Sequence, residues 1–324
     1  MAPWQWEKRG LVFDVQALPN RPEWFDAFAQ APNAIVLDDR VRVYFCCRPK
    51  ADATGMFVSY GAYVDLDRRD LTRIIGMAEQ PIMELGGLGM FDEFGTYPIS
   101  TIKDGTDVYA YFGGWTRGTS VPFNVSIGVA KSSDGGVRFD KLGTGPVLGH
   151  ALDEPFVVTS PKIRKYGDTW WLIYTAGMQW FMHDGRAEIV YKLRAAHSPD
   201  GLHWTRLGHN LLPDKLGPDE AQACGDVLFH GGRYHMFYCY REATNFRHAK
   251  DRTYRIGYAH SDDMRHWTRD DSKAGIDVSA EGWDSDMVAY PHVFALDGEI
   301  YMLYLGNEVG RAGFGLAQLK GTLA

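Results

Sequence analysis

The chain has 324 residues, 45% hydrophobic and 14% aromatic, with a formal net charge of -7; this is ample for a large core, and mild acidity without basic runs excludes nucleic acid and anionic membranes as partners. No apolar run is long enough to span a bilayer; residues 169–182 come nearest and contain Gly177 and Gln179. Cys46, Cys47, Cys224 and Cys239 fall in predicted strands and Cys46 and Cys47 face opposite ways, which argues against a disulfide framework; the opening M-A-P-W-Q-W-E-K-R-G lacks an apolar signal core, so a cytoplasmic protein is predicted.

Taken in order, the chain repeats one phrase five times: a short strand, a tight turn, and a second strand ending in an aromatic residue. The copies open at Pro32, Pro98, Pro161, Gly225 and Pro291, 63 to 66 residues apart, and the aromatics are Phe45, Phe112, Tyr174, Tyr238 and Tyr304. Small-residue strands follow at 126–130, 194–197, 255–260 and 313–319. Three of these run into serine-led turns at 132–139, 198–204 and 261–267. A fixed period with four strands per unit predicts propeller blades. The Asp134, Asp200 and Asp262 of those turns are read as backbone caps, not as paired acids.

The fifth unit ends without a fourth strand. W-E-K-R-G-L-V-F (6–13) resembles the outer strand of the fourth unit and is expected to pair beside 313–319. A ring closed in this way leaves no open sheet edge. The expected fold is all-β: one domain over 1–324, a single five-bladed β-propeller of four-stranded antiparallel blades, closed by the N-terminal strand.

In such a blade the segment before the first strand and the loop after the second share one face. That face collects Asp26, Gln30, Asp92, Glu93, Asp153, Glu154, Asp219, Glu220, Asp284 and Asp286 from lead-in segments, and Arg48, Trp115, Arg117, Trp180, His183, Arg241, Glu242, Arg247, His248, Asn307 and Glu308 from loops. The opposite face receives turn residues only. Carboxylates and arginines beside indole rings suit sugars, because a ring C–H face stacks on an aromatic while charged groups bind hydroxyls. A solvated rim is the plainer reading of any single member.

Strict alternation along the first strands would point Ser160 and Lys162, Cys224 and Asp226, and Tyr290 and His292 toward a central channel. Asp226, Lys162 and His292 would then form either a satisfied polar plug or the deep end of a reaction site. The spacing of Cys and His suggests no structural zinc; a divalent cation held near His292 and Asp226 is the one metal site the sequence admits.

With these features the whole chain resembles the five-bladed glycoside hydrolases: the arabinanase/xylosidase, invertase/levansucrase and mannoside phosphorylase families. Its phrases M-F-Y-C-Y-R (236–241), Y-R-I-G-Y-A-H-S (254–261) and W-D-S-D-M-V-A-Y-P (283–291) further resemble a subgroup associated with bacterial polysaccharide biosynthesis loci. The resemblance implies chemistry at an anomeric centre. The family's catalytic positions depart here: Ala31 stands before the first proline, Ser160 before the third, and Ala223-Cys224-Gly225-Asp226 where an invertase acid would sit.

The leading expectation is therefore a glycoside hydrolase using Glu93, Glu220, Asp226 and Asp286 as its carboxylates. Asp26, Gln30, Arg48, Trp115, Ser160, Lys162, Trp180, Arg241, Arg247, Tyr290, His292, Asn307 and Glu308 are the expected substrate-binding residues. The alternative is a glycosyltransferase or phosphorylase using an anomeric phosphate held by Arg48, Lys162, Arg241 and Arg247. A third reading is a non-catalytic sugar-binding propeller. The partner is in every case a sugar, glycan or sugar phosphate.

Overall fold

The computed structural model describes residues 4–323, which form a ring of five four-stranded antiparallel sheets. Blade one comprises β2 (Ala27–Val36), β3 (Arg40–Arg48), β4 (Tyr60–Asp67) and β5 (Asp70–Met77). Blade two follows with β6 (Gly95–Asp104), β7 (Asp107–Arg117), β8 (Phe123–Ser132) and β9 (Asp140–Lys141). Blade three is β10 (Val158–Tyr166), β11 (Thr169–His183), β12 (Arg186–Ser198) and β13 (Thr205–Arg206). Blade four is β14 (Glu220–His230), β15 (Arg233–Glu242), β16 (Arg255–Ser261) and β17 (Thr268–Arg269). Blade five is β18 (Ala289–Leu296), β19 (Glu299–Leu305), β20 (Gly313–Gly321) and, outermost, β1 (Trp4–Asp14).

The expected closure is present and longer than read. β1 pairs with β20 from Trp4 opposite Gly321 to Asp14 opposite Gly313. The first strands of neighbouring blades touch around the axis, and the blades stack face to face. That stacking buries middle strands such as β3 and β19 along almost their whole length, so they read as apolar runs. Tyrosines lock adjacent blades: the Tyr44 hydroxyl donates to the Gly136 carbonyl of blade two, and Tyr111 to the Gly201 carbonyl of blade three, at 2.7 and 2.8 Å.

The serine-led turns behave as caps. The Asp134 and Asp200 carboxylates accept from their own serine and from backbone N–H groups two to four residues on. In blade four the cap is Asp263 rather than Asp262; Asp262 instead pairs with Arg233 at 3.0 Å.

Alternation fails at the inner strands. Every β2, β6, β10, β14 and β18 carries a register break, between Gln30 and Asn33, Thr96 and Ile99, Thr159 and Lys162, Ala223 and Asp226, and Ala289 and His292. In four of these bulges a non-glycine residue takes the left-handed region: Ala31 (φ 54), Ser160 (φ 50), Cys224 (φ 53) and Tyr290 (φ 51). Each costs on the order of 1 kcal/mol, an expense the surrounding ring imposes. The bulge separates the residues flanking each proline. Tyr97, Ser160 and Tyr290 line a cavity, whereas Asn33, Lys162, Asp226 and His292 are sealed inside the ring, each at most 3% exposed.

Candidate active site

The cavity has a volume of about 780 Å³ and is built from all five blades. Its lining comes from lead-in segments and inner strands (Phe28, Gln30, Tyr97, Thr159, Ser160, Ala223, Asp286, Tyr290), from the end of β7 and the start of β12 (Trp115, Arg186), and from loops after second strands (Phe57, Phe246, Arg247, Lys250, Glu308). Arg48, ending β3, and Arg241, near the end of β15, also reach it. Tyr191 enters because β11 and β12 run 15 and 13 residues and extend this hairpin past the others.

Aromatic rings shape the walls. Trp115 donates its Nε1–H to Ser59 Oγ at 2.7 Å. The indole sits so close to Gly95 that a Cβ there would fall 1.9 Å from Nε1, so only glycine fits. At the floor, burial pushes the hydroxyl pKa values of Tyr97, Tyr191 and Tyr290 up, leaving neutral groups that can both donate and accept.

The charge balance of the lining is uneven. Six cations, Arg48, Arg186, Arg241, Arg247, Lys250 and Arg311, face two carboxylates, Asp286 and Glu308. Lys250 pairs with Asp286 at 2.5 Å and Arg311 with Glu308 at 3.5 Å, while Arg247 and Arg186 share Glu188 at 2.7 and 3.6 Å. Arg48 and Arg241 have no carboxylate partner among the described residues. Arg241 is 3% exposed, donates Nη1 to the Glu242 carbonyl at 2.7 Å, and leaves its buried Nε unsatisfied. Its guanidinium lies 3.5 Å from the Phe246 ring centroid. Arg48, whose buried Nε is also unsatisfied, lies over Phe28 at 4.8 Å.

Of the residues read from the sequence, the structure gathers Gln30, Arg48, Trp115, Ser160, Arg241, Arg247, His248, Asp286, Tyr290 and Glu308 at this cavity. It draws the others away. Glu220 is fully buried, accepting from Arg269 Nη1 at 2.6 Å, from Gln222, and from the backbone N–H groups of Lys215 and Leu216. It belongs to a series of structural staples in which a lead-in carboxylate pairs with a cation on the blade's outermost strand: Asp92 with Lys141, Glu154 with Arg206 at 2.9 Å, Glu220 with Arg269, and Asp284 with Lys8 at 2.7 Å. Glu93 accepts from the Gly89 N–H at 2.9 Å and caps its own loop. The Asp26 segment is tied by its backbone to Arg21 and Arg48. Trp180 packs edge-on against Phe123 at 5.4 Å, outside the cavity lining. Asn307 braces the loop of Asp286, accepting from the Asp286 N–H at 2.8 Å.

Asp226, Lys162 and His292 are buried together beneath the cavity and outside its lining, a plug that is satisfied at Asp226 but leaves Lys162 Nζ and His292 Nε2 without a hydrogen-bond partner among the described residues. Asp226 accepts from Arg164 Nη2 (2.5 Å), His292 Nδ1 (2.7 Å), and the Val227 and Val293 N–H groups. Burial alone would raise its pKa; Arg164, His292 and Lys162 outweigh that and hold it below the usual carboxylate range. Burial lowers His292 to about 4, Asp226 opposing only in part, and burial likewise lowers Lys162. All four contacts on the Asp226 oxygens are donors, one of them the Arg164 guanidinium, so the plug does not suit a divalent cation. Among the described residues no cluster of His, Cys, Asp or Glu could hold a metal ion.

Sequence reasoning missed Tyr254, Tyr191, Phe57, Arg186 and Arg311. Tyr254 and Tyr191 lie in or beside predicted strands, and nothing local marks strands or loops that extend toward an axis.

A five-bladed ring with an axial, aromatic-walled cavity defines a class of fold shared with glycoside hydrolases. A glycoside hydrolase matches over 98% of this chain and 92% of its own at 16% identity with a TM-score of 0.73. A thermostable family-43 glycoside hydrolase matches over 94% and 92% (15%, TM-score 0.64). A member of the GH130 family of mannoside phosphorylases and glycoside hydrolases matches over 97% and 93% (15%, TM-score 0.69). No family model matches the chain. The chain belongs to the family of the uncharacterized protein Rv1502 of Mycobacterium tuberculosis strain H37Rv, with 34% identity over 319 residues covering 97% of this chain and 99% of that protein.

Proposed function

We propose that this propeller is a carbohydrate-active enzyme that transfers a glycosyl group from an anomeric phosphate at the axial cavity. The observation that carries this reading is the scarcity of carboxylates: among the described residues only Asp286 and Glu308 line the cavity, both come from blade five, and both are paired to cavity cations. Two-carboxylate hydrolysis, the leading expectation from sequence, needs a proton donor with a raised pKa and a second carboxylate across the sugar. Asp286 is instead lowered, chiefly by its hydrogen bond to Lys250, and so is ionised at neutral pH. That state suits a base.

In the proposed step the acceptor hydroxyl attacks C1, its proton passes to the Asp286 carboxylate, and the C1–O bond to phosphate breaks with the electron pair leaving on phosphate. Phosphate leaves without a protein acid, which fits a cavity whose second carboxylate, Glu308, comes from the same blade and is paired to Arg311. Arg48 and Arg241 bind the donor by forked, charge-assisted hydrogen bonds, and Trp115 with the floor tyrosines holds the sugar. A place in polysaccharide assembly is consistent with the phrases at 236–241, 254–261 and 283–291.

The test compares turnover of glycosyl phosphates with an added acceptor against hydrolysis of aryl glycosides. Asp286→Asn should lower transfer by about 10²- to 10⁴-fold. Asp134→Asn, on the opposite face, should leave turnover unchanged. Efficient aryl furanoside hydrolysis that ignores phosphate and survives Arg241→Ala would overturn the proposal.

A further inference from the structure

Arg48 and Arg241 stand on different blades, one and four, with blade five between them. Between them runs an arc of tyrosines. Arg48 lies 5.8 Å from the Tyr97 ring, Tyr97 neighbours Tyr290, Tyr290 meets Tyr254 edge-on at 5.7 Å, and Arg241 lies 5.3 Å from Tyr254. The other four lining cations each reach a carboxylate, Arg186 and Arg247 sharing Glu188, so the cations with no carboxylate contact among the described residues stand at the two ends of this arc.

A guanidinium buried without an anion, as Arg241 is, is costly, and the half-buried Arg48 in the same cavity repels it. With three tyrosine rings intervening, one small anion is poorly placed to answer both. Resting on the transfer reading above, we infer that the substrate sugar is anionic at both ends of its ring, with one acidic group seated at Arg241 and the other at Arg48. One is the leaving phosphate at C1; the other is a phosphoryl or carboxylate substituent on the far side of the sugar. The tyrosine hydroxyls between them face the ring oxygens.

The test is calorimetric titration of the wild-type protein with glucose 1-phosphate, glucose 6-phosphate and glucose 1,6-bisphosphate, the corresponding ribofuranose 1-, 5- and 1,5-phosphates, the parent neutral sugars, and glucuronic acid 1-phosphate. In at least one series the doubly anionic sugar should bind roughly tenfold to hundredfold tighter than either monophosphate, the size expected of one charge-assisted pair. Arg241→Ala should abolish the advantage over one monophosphate and Arg48→Ala the advantage over the other. If Arg241→Ala does not fold, Arg241→Lys, which keeps the charge without the fork, should weaken the same group. Glucuronic acid 1-phosphate distinguishes a carboxylate from a phosphoryl as the second group.

Equal affinity for singly and doubly anionic sugars, or both variants acting on the same phosphate, overturns the two-seat inference while a turned-over monophosphate donor leaves the transfer reading standing. Binding of neutral sugars alone, or of no sugar, overturns both.

Discussion

Glu220 illustrates how a residue's chemistry depends on its partners. From sequence it is a carboxylate five residues before an inner-strand bulge, on the same face as Arg48 and Arg241. In the fold its position matches Asp92, Glu154 and Asp284, and it stitches the lead-in segment of blade four to Arg269 on the outer strand. Removing one partner strands the other charge in a buried site, so Glu220→Ala should cost about 3–5 kcal/mol of unfolding free energy. Affinity for phosphorylated sugars should be little changed in the folded fraction. Urea unfolding at neutral pH measures the first quantity; a variant as stable as the parent would refute the staple.

At the scale of elements, the closing strand and the bulges matter most. β1 contributes both the outer edge of blade five and Lys8, the cation that pairs with Asp284. Deleting residues 1–15 therefore removes a sheet partner and a staple together, and bares β20 as an unprotected edge. The truncated chain should aggregate or lose 10 °C or more of melting temperature, on the order expected when several kcal/mol are lost from a domain this size. Light scattering and a thermal melt decide it: an unchanged monomer with an unchanged melting point would mean that the ring does not need this strand. The outer strands of blades two to four are two residues long, so those edges offer little to pair with.

At the scale of the molecule, the five blades meet on a buried polar plug whose titration should govern acid stability. His292 is fully buried with its pKa lowered from 6.5 to about 4. The unfolded chain therefore takes up a proton on this group below about pH 6.5 while the folded chain refuses it until about pH 4. Stability is fully present above pH 6.5 and is lost as the pH falls toward 4; the shift corresponds to about 3 kcal/mol. His235, also buried and lowered to about 4, acts in the same direction. Asp226, held below the usual carboxylate range, adds a further loss at still lower pH. Urea midpoints measured from pH 7 to 4.5 should fall steadily, and a flat profile over that range would contradict the burial of these imidazoles.

The ring is legible in the amino-acid sequence. A phrase repeated five times, with its turns and terminal aromatics, specifies strand order within each blade, and the missing fourth strand of the last unit points to residues 6–13 as its completion. Also legible is which face collects charged and aromatic side chains, because strand direction alone sorts loops into two ends. Which of those residues converge is set by the folded ring. The bulge at each inner strand breaks the two-residue alternation, so Tyr290 faces the cavity while His292 is sealed in the plug, although a regular strand would have put both on one side. Ion pairing is likewise settled between segments far apart in the chain: Glu220 meets Arg269 and Asp284 meets Lys8, whereas Arg48 and Arg241 meet no carboxylate among the described residues. Local patterns encode backbone direction and burial, but whether a charge is neutralised depends on what the closed ring brings within about 4 Å of it.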